Sequence, residues 1–175
     1  MGFSVTIASG IILIGLVVMT GIILTTVFYS IDTLSTTAKM YADSERDKLD
    51  VRLELNIELI DERQITFNVT NLGSKTIFFK NQTGFQWNSI VISYQNNSLW
   101  LSYIIKNYSV LEVNVTDTQV SFDPSSHSFI NPGEEARISF NLPEDAPAIP
   151  VGATVIIVFV SHYGITAQAE GVRTE

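Results

Sequence analysis

Residues 64–79 read QITFNVTNLGSKTIFF, and their first seven positions decide the fold class. Ile65, Phe67 and Val69 fall on one side of an extended chain while Thr66, Asn68 and Thr70 fall on the other, the period of two that belongs to a strand. Asn71-Leu72-Gly73-Ser74 then supplies turn chemistry, and Thr76–Phe79 resumes as a short apolar run. Comparable runs bounded by turn formers recur at Val51–Ile60, Ser89–Tyr94, Leu99–Ile105, Thr118–Phe122, Ala136–Leu142, Thr154–His162 and Ile165–Ala169. Val113 and Val115 alternate in the same way against Glu112, Asn114 and Thr116. This spacing predicts an all-β, immunoglobulin-like antiparallel β-sandwich. TVIIVFVSHYG, residues 154–164, alternates poorly and predicts a central, well-covered strand. Pro143 and EDAPAIPVG, residues 144–152, cannot continue a central strand and predict a loop before the last hairpin. The chain has no cysteine. No disulfide can join the sheets, so the aliphatic and aromatic core must supply the stability.

Ahead of the strands stands MGFSVTIASGIILIGLVVMTGIILTTVFYS, residues 1–30, without one charged side chain. From Phe3 to Phe28 a helix would run about 39 Å, longer than the roughly 30 Å hydrocarbon core of a bilayer. Its Ser and Thr hydroxyls can bond back to helix carbonyls. A secretory signal would need a basic start, a shorter apolar stretch and a small-residue cleavage site, and a pilin-type precursor would need a charged leader. The segment therefore reads as an uncleaved transmembrane helix. Met1–Thr6 also fits an N-myristoylation pattern, though a lipid adds little to a segment that already spans. Thr6 with Gly10, and Gly21 with Thr25, are spacings that permit close approach of another helix. Past Ser30, Ile31, Leu34, Ala38 and Tyr41 mark one face of a continuing helical stalk, on the order of 30 Å long, to about Asp50. The expected organisation is a transmembrane helix over 1–30, an amphipathic stalk over 31–50 and an extracellular β-sandwich domain over 51–175.

Orientation draws on two opposed signals. Lys39, Arg46 and Lys48 follow the span, and positive charge alone would place that side in the cytoplasm. Against it stand five Asn-x-Ser/Thr sequons, at Asn68, Asn81, Asn96, Asn107 and Asn114. Five within about fifty residues read as an externally N-glycosylated surface, and the basic residues lie among Asp43, Glu45, Asp47 and Asp50.

The supply of catalytic groups is thin. In 175 residues of net charge −8 there are two histidines. His162 ends an apolar strand, where a structural role is expected. His127 lies in PSSHS, but no Gly-x-Ser-x-Gly elbow accompanies it. Glu134-Glu135 and Glu144-Asp145 diverge and do not form an acid pair at fixed spacing. No phosphate-binding glycine loop or metal-ligand pattern can be traced, so neither cofactor nor metal is expected, and the acidic balance argues against nucleic acid. The residues point away from an enzyme. Between Asn81 and Asn131 charge is sparse while Trp87, Tyr94, Trp100, Tyr103 and Tyr108 accumulate. Those rings that are exposed would make a protein-contact surface.

The start MGFSVTIASGIILIGL, the stretch Val69–Ile77 reading VTNLGSKTI and the stretch Ile130–Phe140 reading INPGEEARISF together resemble the archaellum stator F-protein family (FlaF/ArlF). The resemblance implies a membrane-anchored, pseudoperiplasmic β-sandwich that binds the surface-layer protein and works with the partner stator protein G to hold the archaellum motor in the cell envelope. It supplies no contact residues. The alternative is an archaellin- or pilin-like filament subunit, whose helix would bundle in a filament core, and a homo-oligomer fits either reading.

Overall fold

A chain that turns from an unbroken apolar run to a period of two should turn from helix to sheet. The computed structural model describes residues 2–80 and 82–174, with side chains from Ile7 onward, and shows that change near residue 50. The chain divides into a helical unit ending at Glu45 and a unit beginning at Arg46.

Helix α1 runs without interruption from Gly2 to Leu49. It is long and apolar enough to cross a membrane. Side chains from Ile7 to Ser44 are exposed. Hydroxyls in the apolar run are satisfied locally: Thr20 donates to the Leu16 carbonyl, Thr25 to Gly21 and Thr26 to Ile22. Ser30, Thr33 and Thr37 repeat the pattern one turn at a time. Such back-bonding removes the cost of carrying polar groups where water is absent.

From Leu53 the described residues form eleven strands: β1 (Leu53–Ile60), β2 (Gln64–Asn71), β3 (Ile77–Phe78), β4 (Ser89–Asn96), β5 (Leu99–Ile105), β6 (Ser109–Val115), β7 (Ser121–Phe122), β8 (Phe129–Ile130), β9 (Glu134–Asn141), β10 (Thr154–Val160) and β11 (Thr166–Val172). One sheet has the order β1-β2-β9-β6-β7, the facing sheet β11-β10-β4-β5, and β3-β8 is a short separate ribbon. Every pairing is antiparallel. The expected all-β sandwich behind an apolar helix is what the chain forms. Between the sheets lie Ile65, Phe67, Val69, Ile90, Ile92, Tyr94, Val113, Ile138, Val155, Ile157 and Phe159, all buried. They are the inward halves of the alternating patterns.

Three details differ from the sequence reading. Strand β10 is central, between β11 and β4, but its side chains alternate: Val155, Ile157 and Phe159 are buried, whereas Ile156, Val158 and Val160 are half-exposed on the outer face. The run Thr118–Phe122 shrinks to Ser121–Phe122, because Asp117 takes a left-handed backbone (φ 61°) and the Thr118 amide turns back to the Val115 carbonyl. Strand β8 is too short to have announced itself by period.

The loop over residues 143–153 closes one end of the sandwich, with Ala146 and Ile149 buried. Arg63 fastens it, donating to the carbonyls of Ala146, Pro143 and Glu144. Tyr94 Oη donates to the Pro147 carbonyl and Arg173 to that of Ile149. Proline-rich segments leave carbonyls without ladder partners, and here long side chains supply the donors.

The piece from Arg46 onward contains every strand and is expected to fold alone, with a β-rich circular dichroism spectrum. In it Gly73→Ala should cost about 1–3 kcal/mol and lower the thermal midpoint, because overpacking against backbone cannot relax. A Cβ there would stand 2.5 Å from the Asp50 carbonyl oxygen and 2.6 Å from the Arg52 nitrogen.

Candidate functional site

The two stretches that carried the family resemblance, Val69–Ile77 and Ile130–Phe140, meet in space. Asn71 ends β2 wholly buried, and its Nδ2 donates to the carbonyls of Lys75 at 2.7 Å and Ile130 at 3.0 Å. Its Oδ1 accepts from the Gly73 amide at 3.1 Å, and its own carbonyl accepts from the Gly133 amide at 2.9 Å. Thr76 Oγ1 donates to Asn131 Oδ1, and Ile77 pairs with Ile130 across the β3-β8 ribbon. Only an amide offers two donors and an acceptor from so short a side chain. Gly133, with φ 79°, makes the turn that an L side chain would strain. In this chain these residues build a hydrogen-bonded corner of the sandwich.

Glu134 extends the corner. Its carboxylate accepts from the Asn131 amide at 2.7 Å and from Asn131 Nδ2 at 3.2 Å, and lies 2.9 Å from His127 Nε2. Burial alone would raise its pKa. The Asn131 amide and His127 outweigh that burial and hold the carboxyl below its ordinary range. The His127 ring lies against Phe122 and Phe129, with centroids at 4.5 and 4.0 Å. With one ring nitrogen taken by Glu134 and the faces covered by phenyl groups, His127 is placed as a packing residue. Burial lowers the pKa of His162, which stacks on Trp87 at 4.8 Å and 6°. Among the described residues there is no group of three or more His, Cys, Asp or Glu that could hold a metal ion.

The candidate contact aromatics separate into core and surface. Tyr94 and Tyr108 are buried, which removes them from the contact set, and burial pushes both phenols up to about 12. The period of two through Ile90 and Ile92 runs on to Tyr94, a signal that assigns it to the core. Tyr103 is half-buried and stacks on Tyr94 at 6.1 Å. Trp87 and Trp100 are about half exposed, at 50% and 53%. Phe78 and Phe85 are exposed as well, two surface rings that the low-charge pattern did not single out.

The sequons separate too. Asn68 faces outward but β2 is a central strand, flanked by Asn56 of β1 and Arg137 of β9. Its Oδ1 is shielded from solvent and unpartnered, so the open wet face expected there is closed by its neighbours. Asn96 and Asn114 are half-buried at strand ends, Asn107 is exposed between β5 and β6, and Asn81 lies outside the described residues. An open groove of about 800 Å³ runs beside Tyr103–Asn107, walled opposite by Ser139–Asp145.

Stability should carry the signature of Glu134. A carboxyl whose folded pKa lies below its ordinary 4.5 contributes stability above that value and loses it as the pH falls through the lower folded value. Thermal midpoints measured from pH 6 to pH 3 should fall steeply at the acid end. Glu134→Gln should flatten that acid limb, and Glu134→Ala should cost about 1–3 kcal/mol at neutral pH by stranding the Asn131 amide.

No known family matches the sequence, and no curated protein is detectably similar to it. Among solved structures, the archaeal flagellum of Methanospirillum hungatei strain JF1 is similar over 96% of this chain and 93% of that one, with TM-score 0.59 at 12% identity. The archaellum periplasmic stator protein FlaG from Sulfolobus acidocaldarius matches 69% of this chain and 99% of its own, with TM-score 0.43 at 12% identity. The FlaF and FlaG stator complex from the same organism matches 68% of this chain and 87% of its own, again with TM-score 0.43 at 12% identity. At these identities the first similarity speaks for the fold: an apolar helix followed by a β-sandwich, matched along nearly the whole chain.

Proposed function

We propose that this chain is a membrane-anchored structural adaptor of the archaellum, a stator component whose sandwich lies outside the cell, binds the surface-layer protein and engages the partner stator protein G. The observation that carries the reading is the union of one apolar helix, exposed from Ile7 to Ser44, with a sandwich whose histidines and buried carboxylate are committed to packing. A helix alone would drift in a fluid bilayer under torque. A stator must grip something immobile, and a folded domain on a permanent tether meets that need. The opening MGFS and the corner sequences support the assignment to the F family, and the whole-chain likeness to an archaeal flagellum supports an archaellum setting.

That same likeness favours a second reading, a filament subunit, because it extends over helix and sandwich together. Mass spectrometry separates the two. An intact Met1 peptide in membranes fits the adaptor, whereas the chain in high copy in sheared filaments fits the subunit. Binding decides the partner: the full-length chain in detergent micelles should capture purified surface-layer protein saturably between acidic and neutral pH. No capture at any pH, with the sandwich folded, would move the assignment to the filament.

If the sandwich is exported and glycosylated, Asn107 should carry the glycan most completely. Asn68 should carry none, since a glycan needs an amide clear of its neighbours. Glycopeptide mapping of the chain from native membranes checks both.

A further inference from the structure

A helix that stands in water is held weakly by local propensity, and most helical stability in proteins comes from packing of one apolar face. Past its apolar run, α1 continues to Leu49 through Thr33, Ser35, Thr36 and Thr37, which are poor helix formers. In the same stretch Ile31, Leu34 and Tyr41 are 57%, 70% and 68% exposed. Such a sequence keeps a helix when a second element covers its apolar face. Ile31, Leu34, Ala38 and Tyr41 stand three, four and three residues apart, which makes them the a and d positions of a heptad. The same register runs back through Val27, Leu24, Thr20 and Val17, with the Thr20 hydroxyl already bonded to the Leu16 carbonyl. Charge keeps off this seam. Between Ile31 and Ser44 the charged residues are Asp32, Lys39 and Asp43, at the outward b and f positions. The flanking e and g positions hold Ser30, Ser35, Thr37, Ala42 and Ser44.

We propose that α1 pairs with α1 of a second copy of this chain as a parallel, in-register two-stranded coiled coil, whose seam leaves the apolar run at Val27 and ends at Tyr41. In the membrane-anchor reading of α1, on which this rests, copies inserted in one bilayer already point the same way. The charge pattern selects a second copy as the occupant. In a parallel pair the e position of one helix meets the g position of the other, and unlike chains choose each other by opposite charges there. Here both positions are uncharged, so copy meets copy without repulsion. Ile31 at a with Leu34 at d is the combination that favours two strands. Glu45 and Lys48 take the next a and d places, where like charges of the two copies would oppose each other. The seam therefore stops at Tyr41, just before the sandwich unit begins at Arg46. The contact involves α1 alone.

The chain has no cysteine, so a single introduced thiol reports the contact. The full-length chain is reconstituted alone into phosphatidylcholine vesicles, and resistance to carbonate extraction shows that it is inserted. Leu34→Cys and Tyr41→Cys place the thiol opposite its copy across the seam, whereas Asp32→Cys and Thr36→Cys point it away. On oxidation the first two should form covalent dimers at least about tenfold faster than the last two, because a disulfide needs its two residues within a few ångströms. Leu34→Glu sets two carboxylates against each other in the seam and should slow dimer formation by Tyr41→Cys at least about tenfold, with the β-rich circular dichroism spectrum unchanged. Equal rates at the four positions in an inserted chain would overturn the pairing and leave the seam to a different protein's helix. Indifference of Tyr41→Cys to Leu34→Glu would overturn it as well, and would mean that the copies meet through the sandwich. A chain stripped from the vesicles by carbonate would overturn the anchor reading and the pairing together.

Discussion

The sandwich depends on how one buried amide is satisfied. Asn71 sits at the end of β2 with no exposure, and its side chain bonds the carbonyls of Lys75 and Ile130 while its backbone accepts from Gly133. Those partners come from two stretches of chain, the turn that follows β2 and the segment that joins β8 to β9. A buried polar group stabilises only when its bonds are complete, and an incomplete set costs more than no polar group at all. The geometry of this corner is therefore specified tightly: the turn at Gly73, the ribbon of β3 with β8, and the left-handed turn at Gly133 must all be in place together. Glu134 and His127 continue the same logic one layer outward, where Phe122 and Phe129 pack on the imidazole ring that the carboxylate holds.

This arrangement accounts for the polar groups that might suggest chemistry. His127 is held by a carboxylate and two phenyl rings, His162 by an indole, and the guanidinium of Arg63 by the carbonyls of a proline-rich loop. Each is consumed in closing a gap that backbone hydrogen bonding leaves open. Among the apolar groups left toward solvent are side chains on β5, half-exposed aliphatics on β10, and rings at Phe78, Phe85 and Trp87. Surfaces of that composition suit association better than turnover.

The period of two made much of the sheet legible, because burial follows side-chain alternation directly: Ile65, Phe67 and Val69 read as an inward triplet from their spacing alone, whereas the all-aliphatic run of β10 hid its alternation. Position within the sheet was not legible. Asn68 faces outward as its spacing says, yet β2 proves to be flanked on both sides, and strand order is a long-range property that no local pattern encodes. The same holds for the corner. Nothing local ties Asn71 to Ile130 fifty-nine positions away. The short strand β8 and the pairing of His127 with Glu134 were hidden for the same reason, since each depends on a turn that brings together residues without periodicity.

The corner also marks where the tether enters the sandwich. Between the last turn of α1 and the first residue of β1, Asp50 and Arg52 accept from the amides of Ser74 and Leu72, Lys75 holds Asp47 at 2.8 Å, and Gly73 lets the backbones meet without an intervening side chain. Tension arriving along the helix would reach these bonds before any rung of the β1-β2 ladder. They would act as a strain relief: the segment that joins helix to sheet is clamped by the turn that Asn71 fixes, so a pull along the helix would load that turn first.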